Sequence, residues 1–75
     1  MATDQLDAKG LICPLPVLKA RRAMKVLAVG DILEIEATDP GSVKDFDHFC
    51  ATTGYRLVSA SAADDVYRFA IEKTG

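Results

Sequence analysis

At 75 residues the chain is sized for one domain, spanning residues 1–75, and a domain this small buries only about 60% of its unfolded surface, so its stability margin is narrow. Its 49% hydrophobic and 27% charged residues exclude a disordered chain. A net charge of −2 and a pI near 5.1 argue against a phosphate track, no apolar run approaches the roughly eighteen residues of a membrane span, and residues 1–7 lack a secretory pattern, so a cytoplasmic protein is expected.

The charge is unevenly spread. Residues 1–30 carry five basic and two acidic side chains (+3), residues 31–75 four basic and nine acidic (−5), which favours docking of a protein partner over binding of nucleic acid or membrane. Cys13 and Cys50 lie far apart, whereas a small secreted domain stapled by disulfides would carry several more cysteines. His48 is the only histidine, so a zinc site lacks ligands at usable spacing. Neither a metal nor a cofactor is expected.

Residues 5–8, with Leu6 ahead of the turn residues Lys9 and Gly10, give a weak signal for a first strand. Next comes Gly10-Leu11-Ile12-Cys13-Pro14-Leu15-Pro16, the stretch around which the rest is arranged. Proline lacks an N–H and fits the first helical turn, and it pushes the residue before it into extended geometry. This predicts Cys13 as the N-cap, Pro14 as the first helical residue and Pro16 as the third. A thiolate there would feel the positive end of the helix dipole, worth about 0.3–1 kcal/mol, with Leu15 as the nearest free N–H donor. The thiol is expected to be exposed, held stiffly and mildly acidified. The plainer alternative is a buried cysteine that fills space, but two prolines directly after it serve no core-filling purpose.

From Pro14 the apolar residues Val17, Ala20, Met24 and Leu27 recur at helical steps, with Lys19, Arg22 and Lys25 off the stripe and Arg21 at its border. That basic face is either simply solvated or an electropositive docking surface near Cys13. Gly30 punctuates the end of the segment. In residues 32–37, Leu33, Ile35 and Ala37 alternate with Glu34 and Glu36, a strand with one wet face. Residues 38–41 form a turn, and Ser42 with Asp45 resembles a loose capping box opening a second helix. Val43, Phe46, Phe49, Cys50 and Thr53 share its apolar face and Gly54 stops it, so Cys50 belongs with the core and His48 with the surface. Residues 55–61 and 66–73 read as two strands joined by residues 62–65. Glu34, Glu36, Arg68, Glu72 and Arg56 would face water on the open side of the sheet. The predicted fold is α+β: a two-layer βαβαββ sandwich with a mixed four-stranded sheet and both helices on one face.

Leu6-Asp7-x-x-Gly10-x-x-Cys13-Pro14-x-Pro16, followed by Gly30-Asp31, Asp39-Pro40 and Gly54, resembles the TusA/SirA (YedF-like) family of small sulfur carriers over essentially the whole chain. The resemblance implies a fold like the C-terminal domain of translation initiation factor 3. It also implies a persulfide carried on Cys13, with Asp7, Gly10, Pro14 and Pro16 as supporting motif residues. Sulfur would arrive from a cysteine desulfurase or a rhodanese-type donor and pass to another relay protein. Members similar to the tRNA-thiolation carrier often have glutamate between the prolines where this chain has Leu15, so tRNA thiolation, molybdenum cofactor assembly and sulfur oxidation all stay open.

The residues themselves suit a carrier. A stand-alone cysteine enzyme needs a base within hydrogen-bond reach, and nothing in the sequence places His48 beside Cys13. Leu11, Ile12 and Leu15 could rim the sulfur, while Lys19, Arg22, Lys25 and Leu15 could dock an acidic partner. Two rival readings are a regulatory or scaffold module in which Cys13 is incidental, and an RNA-binding module suggested by fold analogy alone, which the charge balance disfavours.

Overall fold

The structure is a computed structural model that describes residues 3–74. Its elements are β1 (Thr3–Ala8), α1 (Leu15–Met24), β2 (Ile32–Ala37), α2 (Ser42–Thr53), β3 (Arg56–Ala63) and β4 (Val66–Glu72). The strands form one sheet in the order β1-β2-β4-β3. β1 and β2 run parallel, with Ala8 opposite Ala37, because a helical crossover joins them; β4 is antiparallel to both of its neighbours. This is the predicted two-layer α+β sandwich.

The helical stripe and the strand alternation meet in one core. Val17, Ala20, Met24 and the post-helical Leu27 pack with Phe46, Phe49 and Cys50 onto Leu33, Ile35, Ala37, Phe69 and Ile71. Each large side chain here contributes about 1.5–3 kcal/mol by leaving water. The ring centroids of Phe46 and Phe69 lie 4.7 Å apart, tying α2 to the centre of the sheet, and Phe49 meets Tyr55 edge-on at 5.8 Å. Val43 and Thr53, placed on the apolar stripe by their spacing, are exposed instead, in the first and last turns of α2.

Several boundaries differ from the sequence reading. β1 starts at Thr3 and β3 at Arg56. Helix α1 ends at Met24, three residues before the buried Leu27, because its last carbonyls find other partners: Leu27 N–H bonds the Met24 carbonyl, and the Lys73 ammonium donates to Met24 O at 2.8 Å and Leu27 O at 2.7 Å. The final hairpin is tighter than the predicted four-residue connection. Ala63 pairs with Val66, leaving Asp64 and Asp65 as a two-residue turn with φ of 53° and 63°, the left-handed pair of a type I′ hairpin. On the open face, Arg68 Nε reaches Glu36 Oε2 at 2.9 Å, and Arg56 stands opposite Glu72 in the strand register. Edge strand β3 is exposed along most of its length and carries a bulge between Leu57 and Ser59.

Candidate functional site

Parallel pairing of β1 and β2 sends both of their outgoing connections off the same end of the sheet. The connection after β1 carries Cys13 and that after β2 carries Asp39, so the starts of α1 and α2 converge there, at the carboxyl ends of parallel strands where α/β sheets commonly place their chemistry. Asp7 and Gly10 shape the first connection. The Asp7 carboxylate accepts the Lys9 N–H at 3.0 Å; Gly10 takes φ +81°, where a side chain would be strained, and its N–H donates to Thr38 Oγ1 at 2.9 Å across to the second connection.

Cys13 is exposed, and its peptide bond to Pro14 is cis. It is not the N-cap. The cap is Pro14, whose carbonyl accepts the first helical bond from Leu18 N–H, with Leu15 and Pro16 as the first two helical residues. The Leu15 N–H expected to be free is taken by the Ile12 carbonyl at 2.9 Å in a turn that precedes the helix. The sulfur therefore stands one residue further from the helix dipole than the spacing predicts, and Pro16 is buried.

Two carboxylates decide the electrostatics. Asp39 Oδ2 accepts the Cys13 backbone N–H at 2.6 Å and its Oδ1 accepts the Gly41 N–H at 3.1 Å, which holds the Asp39 carboxyl below its ordinary value of 3.8. Asp45, in the first turn of α2, takes the Cys13 Sγ–H on Oδ2. That hydrogen bond, helped by desolvation and by the negative charges of Asp45 and Asp39, pushes the thiol up to about 11 from its ordinary 9.0. The mildly acidified thiol read from the sequence is thus reversed: a full negative charge in hydrogen-bond contact outweighs the half-charge of a helix end. The predicted capping box is absent for the same reason. Asp45 is engaged with Cys13, while Ser42, buried as the first residue of α2, gives its hydroxyl proton to the Asp39 carbonyl at 2.6 Å.

The surroundings of the sulfur are apolar and open. Ile12 is 72% exposed, Leu15 49% and Leu18 52%, and Leu11 is half-buried. A shallow groove between the helices is lined by Pro14, Val17, Arg21, Asp45, His48 and Phe49, among others, so His48 does share a concavity with the acceptor of the Cys13 proton. Arg21 lies over the Phe49 ring at 5.6 Å. Lys19 and Arg22 on α1 and Lys25 at its C-cap are exposed, although Lys19 also donates to the Asp7 carbonyl at 3.0 Å. Cys50 is buried, and burial pushes its thiol up. Another concavity lies on the open sheet face, bounded by Asp7, Glu34, Glu36, Ser59, Ser61 and Arg68, with no residue of the cysteine turn in its lining. The spacing rules single out neither Asp39 nor Asp45 as a neighbour of Cys13. The one signal available is the Asp39-Pro40 pair, which belongs to the motif.

A family model described as sulfurtransferase TusA matches residues 4–73, nearly the whole chain. The chain belongs to the TusA family. It is 44% identical over 71 residues to the sulfur carrier protein TusA of Allochromatium vinosum, covering 95% of this chain and 93% of that one. It is 47% identical over 73 residues to a putative sulfur carrier protein of Halobacterium salinarum, covering 96% and 90%. A SirA-like protein from Desulfitobacterium hafniense superposes over the full length of both chains with a TM-score of 0.80 at 23% identity, which speaks for the fold. Among the described residues, no helix of this TusA-family chain is long and apolar enough to cross a membrane.

Proposed function

We propose that this chain is a sulfur carrier that holds sulfur as a persulfide on Cys13 and relays it from a cysteine desulfurase or rhodanese-type donor to an acceptor protein in the cytoplasm. The observation that carries the reading is the exposed Cys13 on a two-proline turn at the converging helix starts, in a family whose curated relatives are named sulfur carriers. Loading forms a bond between Cys13 Sγ and the outer sulfur of the donor persulfide and breaks the donor's own S–S bond. The donor leaves as a thiol, the Cys13 proton is passed on, and nothing is oxidised or reduced overall. Unloading is the same step with the acceptor's thiol as attacker. Carriers of this kind need no base of their own strong enough to ionise a thiol, because each partner brings its half of the chemistry.

Pro14 and Pro16 stiffen the turn, Asp7 and Gly10 shape it, and the exposed Ile12 and Leu15 supply an apolar rim that a partner covers during transfer. Lys19, Arg22 and Lys25, on the same helix and its C-cap, draw in acidic partner surfaces, an attraction that fades with salt. The product served by the relay is one of tRNA thiolation, molybdenum cofactor assembly or sulfur oxidation. The test is mass spectrometry after incubation with a cysteine desulfurase and free cysteine. A gain of one sulfur atom, lost in Cys13→Ser and kept in Cys50→Ser, is expected. A gain that persists in Cys13→Ser, or none on the unaltered chain with either class of donor, overturns the proposal.

A further inference from the structure

We propose that Asp45 is a positioning residue that holds the empty carrier's Cys13 as a neutral thiol and releases it on loading, so that acquiring sulfur turns the cargo outward by itself. The second half of this inference rests on the carrier reading; the first does not.

The contact between Cys13 Sγ and Asp45 Oδ2 exists only because the sulfur carries a proton to donate. The groups facing that sulfur are mostly of one sign. Asp45 comes from α2 and Asp39 from the connection before it; Arg21 and His48 line the groove that Asp45 also lines, and Arg21 sits over the Phe49 ring. Removing the proton would leave a thiolate between two carboxylates, so the empty carrier is protected from the oxidation and alkylation that attack thiolates. Asp45 is available for this task because it makes no capping bond to α2.

Loading changes the donor inventory. In the persulfide, Sγ is bonded to Cβ and to the outer sulfur and has no hydrogen, so its bond to Asp45 cannot form. The outer S–H is a stronger acid than a thiol and, once ionised, is repelled by Asp45 and Asp39 together. The loaded sulfur is therefore driven from the carboxylates toward Ile12, Leu15 and solvent, where an acceptor meets it. During loading, the proton leaving Sγ ends on the donor's departing thiolate, which balances the step.

The experiment measures the reaction of the empty chain with 4,4′-dithiodipyridine from pH 6 to 11, with the modified cysteine located by mass spectrometry. Asp45→Asn and Asp45→Ala are compared with Asp45→Glu and with Glu34→Gln, a carboxylate lost from the open sheet face; amide spectra establish that each variant is folded. At pH 8 a thiol titrating at about 11 is roughly one part in a thousand thiolate. A fall of one to two pH units in the midpoint raises that fraction about 10- to 100-fold, and the accompanying loss of nucleophilicity trims the rate gain to about three- to tenfold. We expect that gain in the Asn and Ala variants, recovery in Asp45→Glu, and none in Glu34→Gln. Folded Asn and Ala variants whose profiles superimpose on the unaltered chain overturn the first half.

For the second half, the chain is loaded with inorganic polysulfide or by a desulfurase, and alkylation of the outer sulfur by iodoacetamide is timed. Alkylation no faster in Asp45→Asn and Asp45→Ala than in the unaltered chain is expected, because the carboxylate that drives the ionised sulfur outward is gone, and a gain beyond about twofold, like that of the empty chain, overturns it. If nothing loads Cys13 from either source, the carrier reading fails and takes the second half with it, while the profile of the empty chain still decides the first.

Discussion

Lys73 follows the last strand, yet its ammonium closes the far end of α1, and replacing it with methionine isolates that contribution. Its Nζ donates to Met24 O at 2.8 Å and Leu27 O at 2.7 Å from a half-buried position. Methionine keeps most of the aliphatic stem, so the change removes two charge-assisted hydrogen bonds and a cation at the negative end of the helix dipole while sparing apolar contact. A hydrogen bond to a charged group is worth about 1.5–3 kcal/mol when well sheltered. Because water can reach half-buried carbonyls and replace part of the loss, the net cost of Lys73→Met should be about 1–2 kcal/mol. With 75 residues and about 2.1 cal/mol/K of unfolding entropy per residue, each kcal/mol corresponds to about 6 °C, so the melting temperature should fall by about 6–12 °C. The assay is thermal unfolding followed by circular dichroism, repeated in 0.5 M salt. Because the site is sheltered, most of the loss should persist at high salt. A fall of less than about 2 °C would refute the claim that this ammonium holds the helix end.

Other measurements probe the rest of the molecule. Phe46 is fully buried against Phe69 and Phe49, so Phe46→Ala should cost about 3–5 kcal/mol out of a total of roughly 4–11 and melt well below Phe46→Leu; equal melting of the two would count against the tie between α2 and the sheet. The exposed Glu36–Arg68 pair should be worth less than about 1 kcal/mol, and Glu36→Gln in urea titrations should show that difference vanish with salt. Changing Asp64 and Asp65 to Asn-Gly should stabilise the hairpin by about 0.5–1 kcal/mol, since both positions have positive φ; a destabilised double variant would contradict the type I′ assignment. The Asp39 carboxyl is depressed below 3.8 in the folded chain, so its contribution to stability is complete above pH 3.8 and is lost as pH falls through the lower, folded value. The amide shifts of Cys13 and Gly41 should report a midpoint below 3.8, and one at or above it would show that the two N–H bonds do not favour the ionised form.

Much of this architecture was legible in residue order. Leu33, Ile35 and Ala37 alternate and Val17, Ala20 and Met24 recur at helical steps because each set faces one core, and both sets are buried. β3 announced itself poorly: Ser59, Ala60, Ser61 and Ala62 carry little hydrophobic contrast, since an edge strand with both sides wet needs none, and its end shifted by two residues. The exposure of Cys13 could be read from the prolines behind it, but the sign of its acidity shift could not. Helix-start rules look only a few residues ahead, and they assigned Asp45 to Ser42. In the folded chain Asp45 instead serves a sulfur 32 positions earlier, and Asp39 serves a backbone amide 26 positions earlier. Those pairings arise from the parallel register of β1 and β2, which no local pattern encodes.

The two carboxylates that touch Cys13 are residues 39 and 45, on the connection into α2 and in its first turn, apart from the connection that bears the sulfur. The sulfur and the groups that set its acidity are therefore encoded on different stretches of chain. Two codons in the second stretch are enough to retune the thiol while the proline turn stays intact.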